Sequence, residues 1–371
     1  MENTNSQFIK NTKENTVTER NSNLELYRII VMILIVAHHY IVNSGLLKVM
    51  NQNPLLGKSI FLYLFGAWGK TGINCFVLIT GYFMCTKHIT SKKFFKLFFE
   101  VEFYNIIFYA IFLCTGYARF SITDLVNAII PFYSVDKNFS GCFLIFYLFI
   151  PFLNVIINNI TKTQHILLIC LILFVFVIID TLPKSSITFN YVSWFICLYC
   201  ISSYVRLYPN KIFDKTKMWG LISLLLFILS CLSIILFLYY GVKINNNVYY
   251  YYLVSDSNRP LAVCLAFASF LFFKNIKMQN SKFINTVSVS TFGVLLIHAN
   301  SDTMRRWLWV DTLKNVEMFS TNYIVVHALV SVLAVFIICS FIDIIRSKTI
   351  EKPFINYIDS KYNKLLLKFK K

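Results

Sequence analysis

Four ionisable residues stand in the first apolar run of this chain, LELYRIIVMILIVAHHY: Glu25, Arg28, His38 and His39. A charge or an imidazole costs free energy in such a run, so each is a functional candidate by default. An imidazole can move a proton near neutral pH or act as a nucleophile. A guanidinium can grip an anion through a bidentate fork. If the run is helical, each residue turns the chain by about 100° and lifts it by about 1.5 Å. Arg28 and His39, eleven steps apart, then share one face to within about 20°, separated by about 16 Å along the axis. His38 lies about 80° away from Arg28 on the same arithmetic. Glu25, one turn before Arg28, can steady the guanidinium. Taken alone, the pair has a plainer reading, with Arg28 reaching one membrane interface and His39 capping the other.

Other candidates carry similar pairs of readings. His298 ends an apolar run that travels in the same direction as the first, so it either approaches His39 or sits structurally at the interface. Lys70, at the start of the next run, is an interfacial anchor or a contact to an oxyanion or acceptor. Glu100 and Glu102 follow a basic cluster, Lys92, Lys93 and Lys96, and are expected to pair inside a bundle. Arg305 and Trp307 belong to the segment DTMRRWLW, in which Trp can stack on a sugar ring, although Trp at a membrane interface is the commoner case. Most of the ten cysteines lie in apolar runs and behave as small hydrophobes. Cys197 and Cys200 form a CxxC without a second ligand pair, so no metal site is expected.

The elements that must position these residues are membrane helices. Of 371 residues, 57% are hydrophobic and 14% charged, with a mean hydropathy of +0.63. Soluble domains carry about 25% charged residues, so this chain has the bilayer as its solvent. The net charge of +18 does not indicate nucleic acid, because the basic residues lie between apolar runs. Ten runs approach the length of a spanning helix: 24–42, 71–85, 94–115, 142–160, 166–182, 191–207, 218–240, 261–273, 283–298 and 322–345. The second, eighth and ninth are short. With the N-terminal side, the even-numbered loops and the C-terminal tail in the cytoplasm, that side holds 24 of the 35 Lys and Arg residues. An even number of spans also puts both termini on one side. The expected architecture is an all-α integral membrane bundle of about ten helices with both termini cytoplasmic. Residues 1–23 form a polar tail expected to be disordered, 24–345 the membrane domain, and 346–371 a basic tail suited to an anionic inner leaflet. Neither a signal-peptide pattern, an internal repeat nor a glycine-rich phosphate loop is present.

The order of motifs resembles the bacterial membrane acyltransferases of family 3. That family opens with an acidic residue, an Arg three later, then ten residues and a His, matched here by Glu25, Arg28 and His39. The stretch from Gly72 to Phe83 resembles the second-helix signature, with Thr80 where Ser is usual before Gly81. Pro151-Phe152-Leu153-Asn154 and the segment Ser290–His298 resemble two later ones. Asn138-Phe139-Ser140-Gly141 departs from the aromatic pair that usually precedes the Pro151 position. The resemblance spans 24–345. It implies transfer of an acetyl or other short acyl group from cytoplasmic acyl-CoA to a hydroxyl of a cell-surface or lipid-linked carbohydrate, in a bacterial cytoplasmic membrane. No cofactor is then bound permanently; acetyl-CoA is the donor. Arg28, helped by Glu25 and by the field of Lys92, Lys93 and Lys96, would hold the donor's phosphates. His39 would be general base or acyl acceptor, with His298 as its partner. Lys70, Thr80, Arg305 and Trp307 would contact the acceptor. A carbohydrate transporter or flippase is the alternative from another class, although transporters usually show repeated halves. A polysaccharide polymerase would need larger outer loops.

Overall fold

The computed structural model describes residues 21–132, 139–182, 190–244 and 250–357. All regular structure among them is helical. In chain order the helices are α1 (Ser22–Val42), α2 (Leu46–Met50), α3 (Gly57–Phe65), α4 (Gly69–Met84), α5 (Ser91–Cys114), α6 (Ile122–Ile129), α7 (Phe139–Asn159) and α8 (Lys162–Leu173). They continue with α9 (Tyr191–Leu207), α10 (Thr216–Lys243), α11 (Pro260–Asn275), α12 (Lys282–Val289), α13 (Thr291–His298), α14 (Asp302–Arg306), α15 (Asn315–Phe319) and α16 (Ile324–Arg346).

Seven helical stretches are long and apolar enough to cross a bilayer: Ser22–Val42, Gly57–Met84, Ser91–Cys114, Phe139–Asn159, Lys162–Ile179, Thr216–Lys243 and Ile324–Tyr357. The other three expected spans are helical but depart from a simple crossing. Tyr191–Leu207 and Pro260–Asn275 are shorter apolar helices. The third, Lys282–His298, breaks and turns through 92° into Asp302–Thr312. The second span also starts earlier than the apolar run at Thr71 suggests, because α3 adds its length to α4. Most of the polar tail expected at 1–23, and the chain beyond Tyr357, lie outside the described residues.

Shortness goes with burial. On α9, Trp194, Phe195, Leu198 and Tyr199 are almost fully enclosed, so protein covers this helix more than lipid does. Its start is fixed by a reciprocal cap between Asn190 and Ser193. Within a bilayer, helices gain by approaching closely through small residues. A Cβ at Gly81 would lie 2.1 Å from the Ser202 hydroxyl of α9, so the glycine sets the α4–α9 contact. Asn74 of α4 adds a polar lock, accepting from the Trp194 indole at 2.8 Å and donating to the Ser257 carbonyl at 2.6 Å.

Helices α1 and α4 run antiparallel. Tyr27 bonds Cys75, Gly72 abuts Ile35, and Gly69 abuts His38. Helix α1 also meets α12, α13 and α16. Thus α1 is the axis around which the site is built.

Candidate active site

The face of α1 defined by Arg28 turns inward. Met32, Ile35 and His39, at helical spacing above Arg28, line a cavity of about 160 Å³. Helix α4 contributes Lys70, Ile73 and Phe76, α13 contributes Phe292 and Leu295, and Asn105 comes from α5. Phe139, Ser140 and Tyr191 close another side. The cavity reaches down to Met32 and Phe76, one helical turn from Arg28.

The two expected catalytic histidines meet. His39 Nδ1 and His298 Nε2 are 2.9 Å apart. His298 Nδ1 lies 2.6 Å from the Val294 carbonyl, which can only accept, so that nitrogen carries its hydrogen. With both rings neutral, His298 Nε2 is an acceptor and His39 Nδ1 donates to it. The His39 Nε2 lone pair is then left for chemistry. The fully buried His298 is backed edge-on by Trp309, with ring centres 6.4 Å apart. Its place at the end of α13 follows from the break after it. The turn is held to α5 by a hydrogen bond from Asn300 to Asn105 at 3.1 Å, and α14 restarts on its cap, Ser301.

His38 also borders the cavity. Its Nδ1 donates to the Gly66 carbonyl at 2.6 Å, and its ring lies where a Cβ at Gly69 would sit. Helical arithmetic separated it from the Arg28 face, but a cavity bounded by several helices is wide enough to reach both adjacent side chains. Lys70 donates to the Tyr191 hydroxyl at 2.5 Å and faces Asp256 at 3.5 Å. Arg305 pairs with Asp302 at 2.9 Å and donates to the Ala299 carbonyl at 3.2 Å. Both cations line the same cavity as His39.

At the other end of this face Arg28 pairs with Glu25 at 3.2 Å, as their spacing suggests. Other candidates lie elsewhere. The Thr80 hydroxyl donates to the Phe76 carbonyl of its own helix, outside the cavity lining. Trp307 packs against Phe112 and stays 40% exposed, also outside that lining. Lys92 and Lys93 are exposed at the start of α5. Lys96 is engaged by Glu351 at 2.7 Å. Glu100 is paired as expected, with Arg346 at 3.0 Å, whereas Glu102 keeps a buried oxygen without a partner.

Sequence reasoning assigned Arg346 to the basic tail, yet it is only 7% exposed. Its guanidinium binds Asp343 at 2.9 Å, Glu351 at 2.8 Å and Glu100 at 3.0 Å. Tyr104 donates to Asp343 at 2.7 Å. The available signal was the pairing of an Arg with acidic residues at i−3 and i+5, which a count of topogenic charges passes over. Asn105, Asn300 and Tyr191 were missed because neutral polar residues carry no distinctive spacing.

A polytopic helical protein in which His39 lines a cavity between helices, with the buried His298 bonded behind it, a cation at the far end of the same face and further cations in the lining, has the parts that group transfer within a membrane would need. The family model described as an acyltransferase domain matches residues 21–343. The chain belongs to acyltransferase family 3, and it is a multi-pass membrane acyltransferase. The transporter alternative finds no support in that match. No curated protein and no solved structure matches the chain.

Proposed function

We propose that this acyltransferase moves an acetyl group from acetyl-CoA to a hydroxyl of a cell-surface or lipid-linked carbohydrate, of the capsule or exopolysaccharide kind, in a bacterial cytoplasmic membrane. The observation that carries the proposal is His39, which lines a cavity on the Arg28 face of α1 and is hydrogen-bonded from behind by the buried His298. Both termini are cytoplasmic in this reading, so Arg28 faces the compartment that supplies the donor.

Arg28 binds a phosphate of coenzyme A through its fork, while Glu25 holds the guanidinium. The thin pantetheine arm follows Met32 and Ile35 and brings the thioester beside His39. His39 Nε2 takes the proton of the acceptor hydroxyl as its oxygen attacks the thioester carbonyl. The tetrahedral adduct then expels the thiolate, which takes the proton back from Nε2. In the two-step variant, Nε2 attacks first and the thiolate leaves; the acceptor oxygen then takes the acetyl group from His39 while its hydroxyl proton passes to the coenzyme A thiolate. In both, the His298 bond keeps Nδ1 protonated and so leaves the Nε2 lone pair free for the first step.

The test is transfer of labelled acetyl from acetyl-CoA to glycan in membranes, normalised to protein level. Loss of a positioned general base is expected to slow transfer by about 10²–10⁴-fold in His39→Ala. Full activity in that variant overturns the mechanism. Label held by the wild-type protein without acceptor, and absent from His39→Ala, selects the two-step variant.

A further inference from the structure

The cavity carries an electrostatic asymmetry that donor binding does not use. Among its lining residues are two cations, Lys70 and Arg305, and no carboxylate. Their own counter-ions stand outside it: Asp256 has a side chain 42% exposed, and Asp302 one 96% exposed. Such rim pairs contribute little, because water screens them. Arg305 also holds its Nε donor buried without a partner, while its terminal nitrogens bond Asp302 and Ala299. A buried guanidinium donor left unpaired costs free energy unless a ligand accepts from it.

The donor does not satisfy this demand. Its phosphates belong at Arg28, about 16 Å along α1 from His39. A thioester is neutral, so the group that reaches the histidines brings no standing charge. The other polar lining residues, among them Asn105, Ser140, Tyr191 and Asn300, are neutral, so a neutral sugar would leave both cations without a counter-charge inside the cavity. We infer that the acceptor is anionic, carrying a carboxylate or phosphate next to the hydroxyl that is acylated, and that Lys70 and Arg305 bind that group at the His39 end of the cavity. The inference rests on the acyl-transfer reading for its substrate but not for its test. An acidic sugar unit and a phosphate-linked sugar offer the same chemistry, and the experiment separates them.

The full-length protein in nanodiscs is treated with diethyl pyrocarbonate at constant ionic strength, and modification of His39 is followed by mass spectrometry. Glucose, glucuronate and glucose 1-phosphate are the protecting probes. At least one anionic probe should protect His39 at a concentration about tenfold or more below that needed of glucose, the margin expected for charge-assisted hydrogen bonds. Protection by glucuronate points to an acidic sugar unit, and protection by glucose 1-phosphate to a phosphate-linked one. Arg305→Gln should abolish the difference, and Arg305→Lys, which keeps the charge, should retain part of it. Lys70→Gln gives an independent variant if Arg305→Gln does not fold. Equal protection by all three probes, no protection by either anion, or an unchanged preference in a folded charge-neutral variant would each overturn the inference. None of these outcomes depends on acetyl transfer, whose failure in the preceding experiment would be seen separately.

Discussion

At the scale of single residues, the site turns on which nitrogen of each imidazole is free. The Val294 carbonyl fixes the His298 tautomer, and His298 in turn fixes His39. His298→Ala should therefore lower kcat by about 10–10²-fold through loss of orientation, less than the loss of His39 itself. Acetyl-CoA KM should move little. A KM rise with unchanged kcat would assign His298 to donor binding. Arg28→Lys should instead raise the KM for acetyl-CoA by about tenfold, because an ammonium ion lacks the bidentate fork. An unchanged KM in that variant would confine Arg28 to its pair with Glu25. The eleven-residue spacing made Arg28 and His39 legible in the sequence, since a helix converts spacing directly into a shared face. His38 was not so legible. Its place depends on where α4 packs, and that depends on Gly69, whose missing side chain leaves room for the ring.

Among elements, α13 is the one whose seating matters most, because it carries His298 at its end. A Cβ at Gly293 would lie 2.2 Å from the carboxyl group of Asp343. That carboxylate cannot yield easily, being held by Arg346 and Tyr104. Gly293→Ala should push α13 away from α16 and disturb the 2.9 Å histidine contact, lowering kcat by about tenfold or more even in correctly inserted protein. Gly57→Ala is the matched control, since nothing lies within 4 Å of its added Cβ. Equal activity of the two variants would show that α13 tolerates the shift. The existence of the late apolar segment was legible in its composition. Its 92° break was not. Such a break needs partners for the freed backbone groups, and these are set by the folded turn rather than by composition, as where Arg305 donates to the Ala299 carbonyl.

For the molecule as a whole, the sequence revealed the solvent and the ten helical segments, but not which helices lipid surrounds. Hydropathy cannot separate a helix covered by lipid from one covered by protein, and α9 and α10 illustrate the difference. Trp194 and Phe195 of α9 are fully enclosed, whereas Leu221, Leu224 and Leu236 of α10 are more than half exposed. The Glu100 link of the buried ion cluster was equally hidden, because Glu100 and Arg346 are far apart in sequence. Removing one member of such a cluster strands the others, at a cost of about 3–5 kcal/mol. Arg346→Gln should therefore lower the thermal unfolding temperature of the purified protein markedly, whereas the exposed Lys93→Gln should not. Matching unfolding temperatures would show that the cluster is dispensable for stability. A reporter fused after Lys371 should be active only in its cytoplasmic form, and activity in the external form would reverse the proposed topology.

The floor of the cavity has a consequence for the membrane itself. In the proposed mechanism one substrate reaches the site from each side, which makes it a potential leak, and between Arg28 and the two adjacent histidines the lining residues on α1 are Met32 and Ile35, faced by Ile73 and Phe76 of α4. Met32 is 1% exposed and Ile35 4%. Water finds few hydrogen-bond partners along such a wall, so it forms a seal against ions and protons whenever the pantetheine arm is absent. Proteoliposomes carrying the protein should therefore hold a pH gradient as well as empty liposomes do. Replacing Met32 and Ile35 together by serine should let that gradient collapse faster. A gradient held equally well by the double variant would place the permeability barrier elsewhere in the bundle.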